Sequence, residues 1–464
     1  MQSVSDDVTR VVASHIVAAR WDDLPEEVIR HSVNAFVNFM GCLMGGSQHA
    51  AVSRAIYALS QGDDSSASSP VIGRSMRSTA PMAALFNCMS ASVYAFDDTH
   101  AEAIVHSSSI IGAALVGLAG ARRTTVPGKD LLLSFAWGVE LTCRLSKALS
   151  VAPARADIGW SQSGVTGAVG AAAACGKLFG FDLSTMTSAI GTAACLSTGL
   201  RAAHGSMTMH LVPAQAACTG VQAALLAQAE FTGPMASLEG ARGYLTMFSD
   251  SSYSPSLTSD LGTRFELLAN TFKAYPCGIV IHAVIDACLR ICREPEFVRA
   301  RIVTVELWVP ESTAILADRP DPRNEFGAQV SLQHWAAAVL TAGVAGIAQG
   351  TQSWIEDTTV RALRERCRLV LVRDMPTDAS IVRVLLEGGR LLEHRIAHCT
   401  GSLANPLNEA AIDAKCLDQS TALLGARGAR QLIARCRSIP QLDDVSRVWR
   451  ELDATGISAA SKNG

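Results

Sequence analysis

The sequence predicts a mainly α protein, in which a large all-helical domain formed by both chain ends carries a smaller α+β domain. Three observations predict it. Apolar residues recur at three- and four-residue spacing through almost all of the first 265 positions, the period of a half-buried helix. Near residue 270 the texture changes to alternating, β-branched runs such as Arg301 to Val309. After Pro406 the helical pattern returns. The expected divisions are therefore 1–268 helical, 269–404 α+β, and 405–464 as helices packing back on the first domain.

Taken in order, Pro25 suits a first helical turn and Gly45-Gly46 a stop for the helix between them. Residues 62–70 (GDDSSASSP) read as a surface loop. Residues 80–96 form a helix through Met82, Leu85, Phe86, Met89, Val93 and Phe96, running into Asp97-Asp98-Thr99-His100. Further helices fit 109–121, 129–149, 163–178, 183–199 and 212–230, separated by Gly, Pro or Ser. Ala and Gly dominate 163–175, which predicts a helix packed closely inside a bundle. Strands fit 301–309, 369–373 and 381–387, with helices at 279–292, 329–347 and 356–366. Helices are again expected at 407–417 and 441–453.

Composition narrows the function. With 49% hydrophobic, 5% aromatic and 17% charged residues and a net charge of -3, the chain can bury a real core and is not a disordered one. Its 39 basic residues against 42 acidic ones leave no excess for a nucleic-acid surface. No apolar stretch reaches the ~18 residues of a membrane span, and the acidic N-terminus does not read as a signal peptide. Thirteen scattered Cys point to reduced, buried thiols in a cytoplasmic protein. Dinucleotide, Walker, zincin and paired CxxC patterns are absent, so NAD, ATP and a zincin site are unsupported. Cys288 and Cys292 read as one buried helix face.

Three polar clusters interrupt the apolar helices. The first joins Asp97-Asp98-Thr99-His100 to His106-Ser107-Ser108-Ser109. A helix end, a loop and a Ser N-cap would explain the serines and one Asp, but not two His and two Asp within ten residues. His106 falls just before a helix N-terminus, where free N–H groups and the helix dipole favour an anion, so its imidazole could move a proton on a carboxylate substrate. The second cluster runs from Arg201 through His204, Gly205 and Ser206 to His210; it is either an anion pocket or an ordinary polar loop. The third is Lys273-Ala274-Tyr275-Pro276-Cys277-Gly278, followed by His282. With only six Lys in the chain, Lys273 at the domain junction suggests a site for a compact ammonium.

Together these stretches resemble the MmgE/PrpD family. The resemblance spans nearly the whole chain: FDDTH…HSSS, SGVTGAVGAAAACGKLFG, GSMTMHLVPAQAA, KAYPCG…H…IDA and GSLANPLNEAAIDAK occur in the family's order. It implies an active site between a helical and an α+β domain, a homodimer, and acid–base chemistry on small di- or tricarboxylates with no metal and no cofactor. The resemblance matches Asp97, Asp98, Thr99, His106 and Lys273 to the family's positions, which makes His106, Lys273 and Asp98 the expected catalytic residues, with Thr99, Ser206 and Tyr275 and, at or beside the positions that depart from the pattern, Ser161 and His210 expected to bind substrate. In that scheme Asp98 orients His106 and Lys273 neutralises charge developing on an enediolate-like carboxylate. The expected activity is a lyase of the 2-methylcitrate dehydratase type, a dehydratase or decarboxylase. An epimerase of a dicarboxylate and a weakened carboxylate-binding paralogue are the alternatives. Two positions depart from the family's pattern. Ser161-Gln162-Ser163-Gly164 stands where many members have His-Pro-Thr-Gly. Met209 stands where Gly-Ser/Thr-Met-x-Lys places a lysine, with His210 next to it.

Overall fold

The computed structural model describes residues 7–60, 68–122, 124–150, 159–250 and 255–450. Nine helices dominate its first half: α1 (Val8–Ala18), α2 (Glu26–Gly46), α3 (Ala50–Leu59), α4 (Ala80–Ser92), α5 (Ser107–Ala121), α6 (Gly128–Ser150), α7 (Gln162–Phe179), α8 (Leu183–Cys195) and α9 (Thr208–Gln228). Pro25 precedes the first turn of α2, and Asp182 caps α8 by accepting from the Thr185 N–H. The Ala/Gly-rich α7 is buried along almost its whole length and packs against α5, α6, α8 and α9. From Ser163 to Gly176 α7 itself carries no ring and no side chain larger than Val, so its neighbours approach its backbone closely. A Cβ on Gly170 would lie 1.9 Å from Thr142 Oγ1 and 2.7 Å from the Gly138 carbonyl of α6. Gly170→Ala is therefore expected to lower unfolding stability by about 1–3 kcal/mol, the usual cost of overpacking, which urea denaturation measures directly.

One apolar core joins these helices to residues from Ile412 to Trp449. A second core is confined to residues between Cys277 and Cys399. There β5 (Ile302–Pro310) pairs in parallel with β6 (Cys367–Val372) and antiparallel with β7 (Ser380–Leu386), which pairs with β8 (Leu391–Ile396). The helices His282–Ile291 and Leu332–Ala342 pack on this sheet and on each other.

Several expectations need correction. The helical portion is not purely helical: β1 (Ser69–Val71) pairs with β2 (Met76–Ser78), and β3 (Asp98–His100) pairs with β4 (Asn270–Phe272). Ser69 and Pro70, read as loop, lie in buried β1, while 61–67 fall outside the described residues. The α4 helix stops at Ser92, and Ala95 turns at φ 49, which releases Asp97 and Asp98 into an extended segment. β8 follows the Gly388-Gly389 turn, where both glycines have positive φ. The last long helix is Glu409–Arg437, broken by Gly425 at φ 67. Of the helix expected at 441–453, residues 451–453 fall outside the described residues; up to Trp449 the chain forms short 3-10 turns at Ile439–Gln441 and Val445–Val448. The capping Asp444 divides that segment. Among the described residues no helix is long and apolar enough to cross a membrane.

Candidate active site

The site is organised by the small β3/β4 ribbon. Its antiparallel register pairs Asp98 with Phe272, Thr99 with Thr271 and His100 with Asn270. The next residue on each strand is therefore Asp97 and Lys273, and the two meet: Lys273 Nζ lies 3.4 Å from Asp97 Oδ1 and donates to the Ala95 carbonyl at 2.9 Å. A ribbon between positions 170 residues apart thus creates a buried ion pair. Burial works to raise the Asp97 carboxyl, but His106, Lys273 and the 2.9 Å hydrogen bond from Ser109 together hold it below the usual Asp range.

Successive strand residues face opposite ways, so Asp98 points inward while Asp97 faces the site. The Asp98 carboxylate accepts from Ser108 and from the Asn270 amide and is fully buried. Burial, with Asp97 beside it, pushes its pKa up to about 6. His106 sits one residue before α5, and its backbone N–H donates to Ser163 Oγ at 3.0 Å. Its Nδ1 lies 2.7 Å from the Asp98 carbonyl oxygen and 3.7 Å from Asp97 Oδ1. A carbonyl only accepts, so Nδ1 carries the proton and Nε2 keeps its lone pair. Burial, with Lys273 close by, lowers the pKa of His106 and keeps the imidazole neutral at pH 7. About 31% of the side chain is open, enough for a small molecule to reach it.

Asp97, His106 and Lys273 line a cavity together with Ser161, Gln162 and Ser163 at the start of α7, and with Arg201, His204, Met209 and His210. Arg201 uses its Nε to reach the Trp160 carbonyl at 3.0 Å. Burial and the Arg201 charge lower His204 to about 4. Burial likewise lowers His210 to about 4. His210 Nε2 is 3.0 Å from Gln329 Oε1, whose amide nitrogen donates to the Val93 carbonyl at 2.8 Å. That second bond orients the amide, so Nε2 of His210 is the N–H and Nδ1 is an acceptor without a hydrogen-bond donor among the described residues.

The structure thus brings together His106, Lys273, Ser161 and His210 of the sequence-proposed residues. It separates the others. Asp98 touches His106 through its main-chain carbonyl, and the carboxylate nearest the imidazole belongs to Asp97. Thr99 is fully buried on the ribbon, and its hydroxyl is without a hydrogen bond among the described residues. Tyr275 donates its hydroxyl to Asp286 Oδ1 at 2.5 Å and does not line the cavity. Ser206 is exposed, with its hydroxyl on the Ala203 carbonyl at 2.7 Å. His100, the other imidazole of the first cluster, is a structural group: Nδ1 accepts from the Glu102 and Ala103 N–H groups, and Nε2 faces Glu266.

Lys415 is the residue that sequence reasoning missed most completely. Its ammonium donates to Asn38 Oδ1 at 2.8 Å, to the Phe96 carbonyl at 2.6 Å and to the Lys273 carbonyl at 2.9 Å. It lies 3.9 Å above the Phe96 ring. The helix Glu409–Arg437 thereby ties down the two segments that deliver Asp97 and Lys273. The scarcity of Lys that singled out Lys273 applies equally to Lys415. Lys415→Met leaves three acceptors without their donor and is expected to cost about 1–3 kcal/mol by chemical denaturation.

Among the described residues no group of three or more His, Cys, Asp or Glu is placed to hold a metal ion. The order of elements around the cavity can be compared with known proteins. Residues 10–256 match the model of the MmgE/PrpD N-terminal domain, and residues 275–438 match that of the MmgE/PrpD C-terminal domain. The chain belongs to the MmgE/PrpD family. It is similar to the cis-aconitate decarboxylase of Mus musculus, 26% identical over 97% of this chain and 94% of that protein. The Homo sapiens cis-aconitate decarboxylase is 26% identical over 76% of this chain and 75% of its own length. A cis-aconitate decarboxylase-like protein of Aspergillus oryzae is also 26% identical, over 72% and 74%. Ser161 and Met209 both line the cavity.

Proposed function

We propose that this MmgE/PrpD protein is a lyase that works without metal or cofactor on a small di- or tricarboxylate, transferring a proton next to a carboxylate and releasing water or carbon dioxide. The observation that carries this reading is the state of His106: Nδ1–H is committed to the Asp98 carbonyl, and the neutral ring presents a free Nε2 to the cavity. A base with its pKa below neutrality is unprotonated at pH 7 and can accept a proton. Asp97 stabilises the imidazolium formed when Nε2 takes the proton. Lys273, anchored by Ala95 and Asp97, supplies positive charge to the carboxylate that becomes enediolate-like. Ser161, Ser163 and Arg201 bind a substrate carboxylate at the start of α7, where main-chain N–H groups add to the attraction. The Nδ1 of His210 accepts from a substrate hydroxyl and holds it in position. In dehydration the imidazolium of His106 returns the abstracted proton to the departing hydroxyl, which leaves as water as the double bond forms; in decarboxylation the carbon–carbon bond breaks to release carbon dioxide and protonated His106 delivers its proton to the carbanion left behind. The similarity to cis-aconitate decarboxylases supports the lyase class. An epimerase needs a second base on the opposite face, and His210, tethered to Gln329, is the other cavity imidazole that would have to serve.

Incubation with citrate, 2-methylcitrate and cis-aconitate in heavy water, followed by proton NMR, tests the proposal. A new alkene or lost carbon dioxide, with deuterium beside a carboxylate, is expected. Exchange with racemisation and no elimination would assign the chain to the epimerases. No exchange with any of the three would remove the catalytic reading.

A further inference from the structure

The cavity wall is divided by chemistry along the chain. Up to and including Lys273, its lining contains every ionisable and hydrogen-bonding side chain: Asp97, His106, Arg201, His204, His210 and Lys273, with Ser92 and the residues at the start of α7. Beyond Lys273 the lining is Gly278, Ile279, Val280, Ile281, Leu316, Ala317 and Val330, without one polar side chain. Ile281 and Ala317 belong to the second core, whereas Ile279, Leu316 and Val330 are only partly buried, so aliphatic surface remains for an occupant. Met209, from the helical side, adds to the apolar lining.

The charges are correspondingly few. Lys273 and Arg201 are cations and Asp97 is an anion, while His106, His204 and His210 are held neutral by burial. Arg201 commits only its Nε, which leaves two terminal nitrogens without a protein partner among the described residues to clasp one carboxylate. Lys273 has one donor beyond those on Ala95 and Asp97, suited to a second. A third carboxylate would meet the aliphatic wall, where desolvating an unpaired charge is strongly unfavourable. Arg319 reaches His204 electrostatically but is exposed and outside the lining, so solvent and salt screen it.

The geometry points to a small dicarboxylate bearing a short alkyl branch, in place of the third carboxylate of a tricarboxylate, as the preferred substrate; this rests on the proton-transfer reading above. Arg201 and Lys273 take the two carboxylates, and the branch lies against Ile279, Leu316, Val330 and Met209.

Citrate and 2-ethylmalate make a matched pair, since they differ by one terminal carboxylate against a methyl group. Titration calorimetry on the full chain is expected to show 2-ethylmalate binding at least about 10-fold tighter than citrate, and Met209→Lys is expected to move that ratio at least about 10-fold toward citrate. Equal or tighter binding of citrate by the unaltered protein overturns the proposal, and this measurement decides it even if Met209→Lys does not fold. If citrate is preferred while His106-dependent deuterium exchange persists, the substrate assignment alone fails. If neither acid binds and neither exchanges, the proton-transfer reading fails with it.

Discussion

Replacing His106 by Ala is expected to lower turnover by about 10²–10⁴-fold, or roughly 3–5 kcal/mol in barrier height, while leaving the fold intact. The side chain bonds the Asp98 carbonyl and approaches Asp97, and about a third of it is open, so its removal leaves no large void in a core. The thermal midpoint should move by only a few degrees. His106→Asn sharpens the test because its amide can still donate to Asp98 but offers no basic nitrogen. If the imidazole acts as base, both variants lose deuterium exchange equally; if it only positions Asp98, Asn restores activity. The pH profile gives an independent readout. The lowered pKa of His106 puts the neutral form in excess above 6.5, so kcat/KM should be flat through neutrality and fall on an acid limb below that value. Activity that His106→Ala leaves unchanged would dismiss the imidazole from the chemistry.

Why His106 could be found from sequence, and Asp97 not, is a matter of what each depends on. His106 owes its place to a local event, the start of α5, and capping position and residue type are both visible in the chain. The choice between Asp97 and Asp98 depends on which face of a three-residue strand each occupies, and that strand exists only because Asn270–Phe272 pairs with it. Short polar segments have no periodicity to announce such pairing. The same ribbon explains the serines: Ser109 reaches Asp97 and Ser108 reaches Asp98, outer with outer and inner with inner, as a returning chain requires. Read alone, HSSS is an N-cap. Long helices such as α6 and α7 were legible because apolar periodicity and Gly breaks extend over many residues. Between Gln441 and Trp449 the apolar spacing resembles a helix, but Asp444 caps a separate 3-10 turn within it. Lys415 is a contact across 142 residues with Lys273, and nothing local to it marks the two carbonyls it holds.

Acidification is expected to unfold the protein abruptly, because many imidazoles are buried in their neutral form. His31, His204, His210 and His334 are lowered to about 4 and His282 to about 3, in every case chiefly by burial. A group whose folded pKa lies below its unfolded value of ~6.5 contributes stability above that value and loses it as pH falls toward the folded pKa. In the interval between, the unfolded chain binds protons that the folded chain excludes. Each such group costs about 1.4 kcal/mol per pH unit, so five of them set an upper limit on the order of 10 kcal/mol between pH 6.5 and pH 5. That is comparable with the whole stability of an ordinary domain, about 5–15 kcal/mol. Asp98 acts in the opposite sense: with its pKa raised to about 6, its contribution is full below about 4 and lost as pH rises through 6. It is one proton against five and offsets only a fraction. Thermal midpoints followed by circular dichroism should therefore be level from pH 8 to 7 and drop steeply between pH 6.5 and 5. His334→Gln, whose amide can still donate to the Gln349 carbonyl now 2.8 Å from Nε2, should make the drop shallower by about one proton's worth. A midpoint that stays constant from pH 7 to pH 5 would mean that these imidazoles are not held neutral, and would remove the basis for treating His204 and His210 as uncharged walls of the cavity.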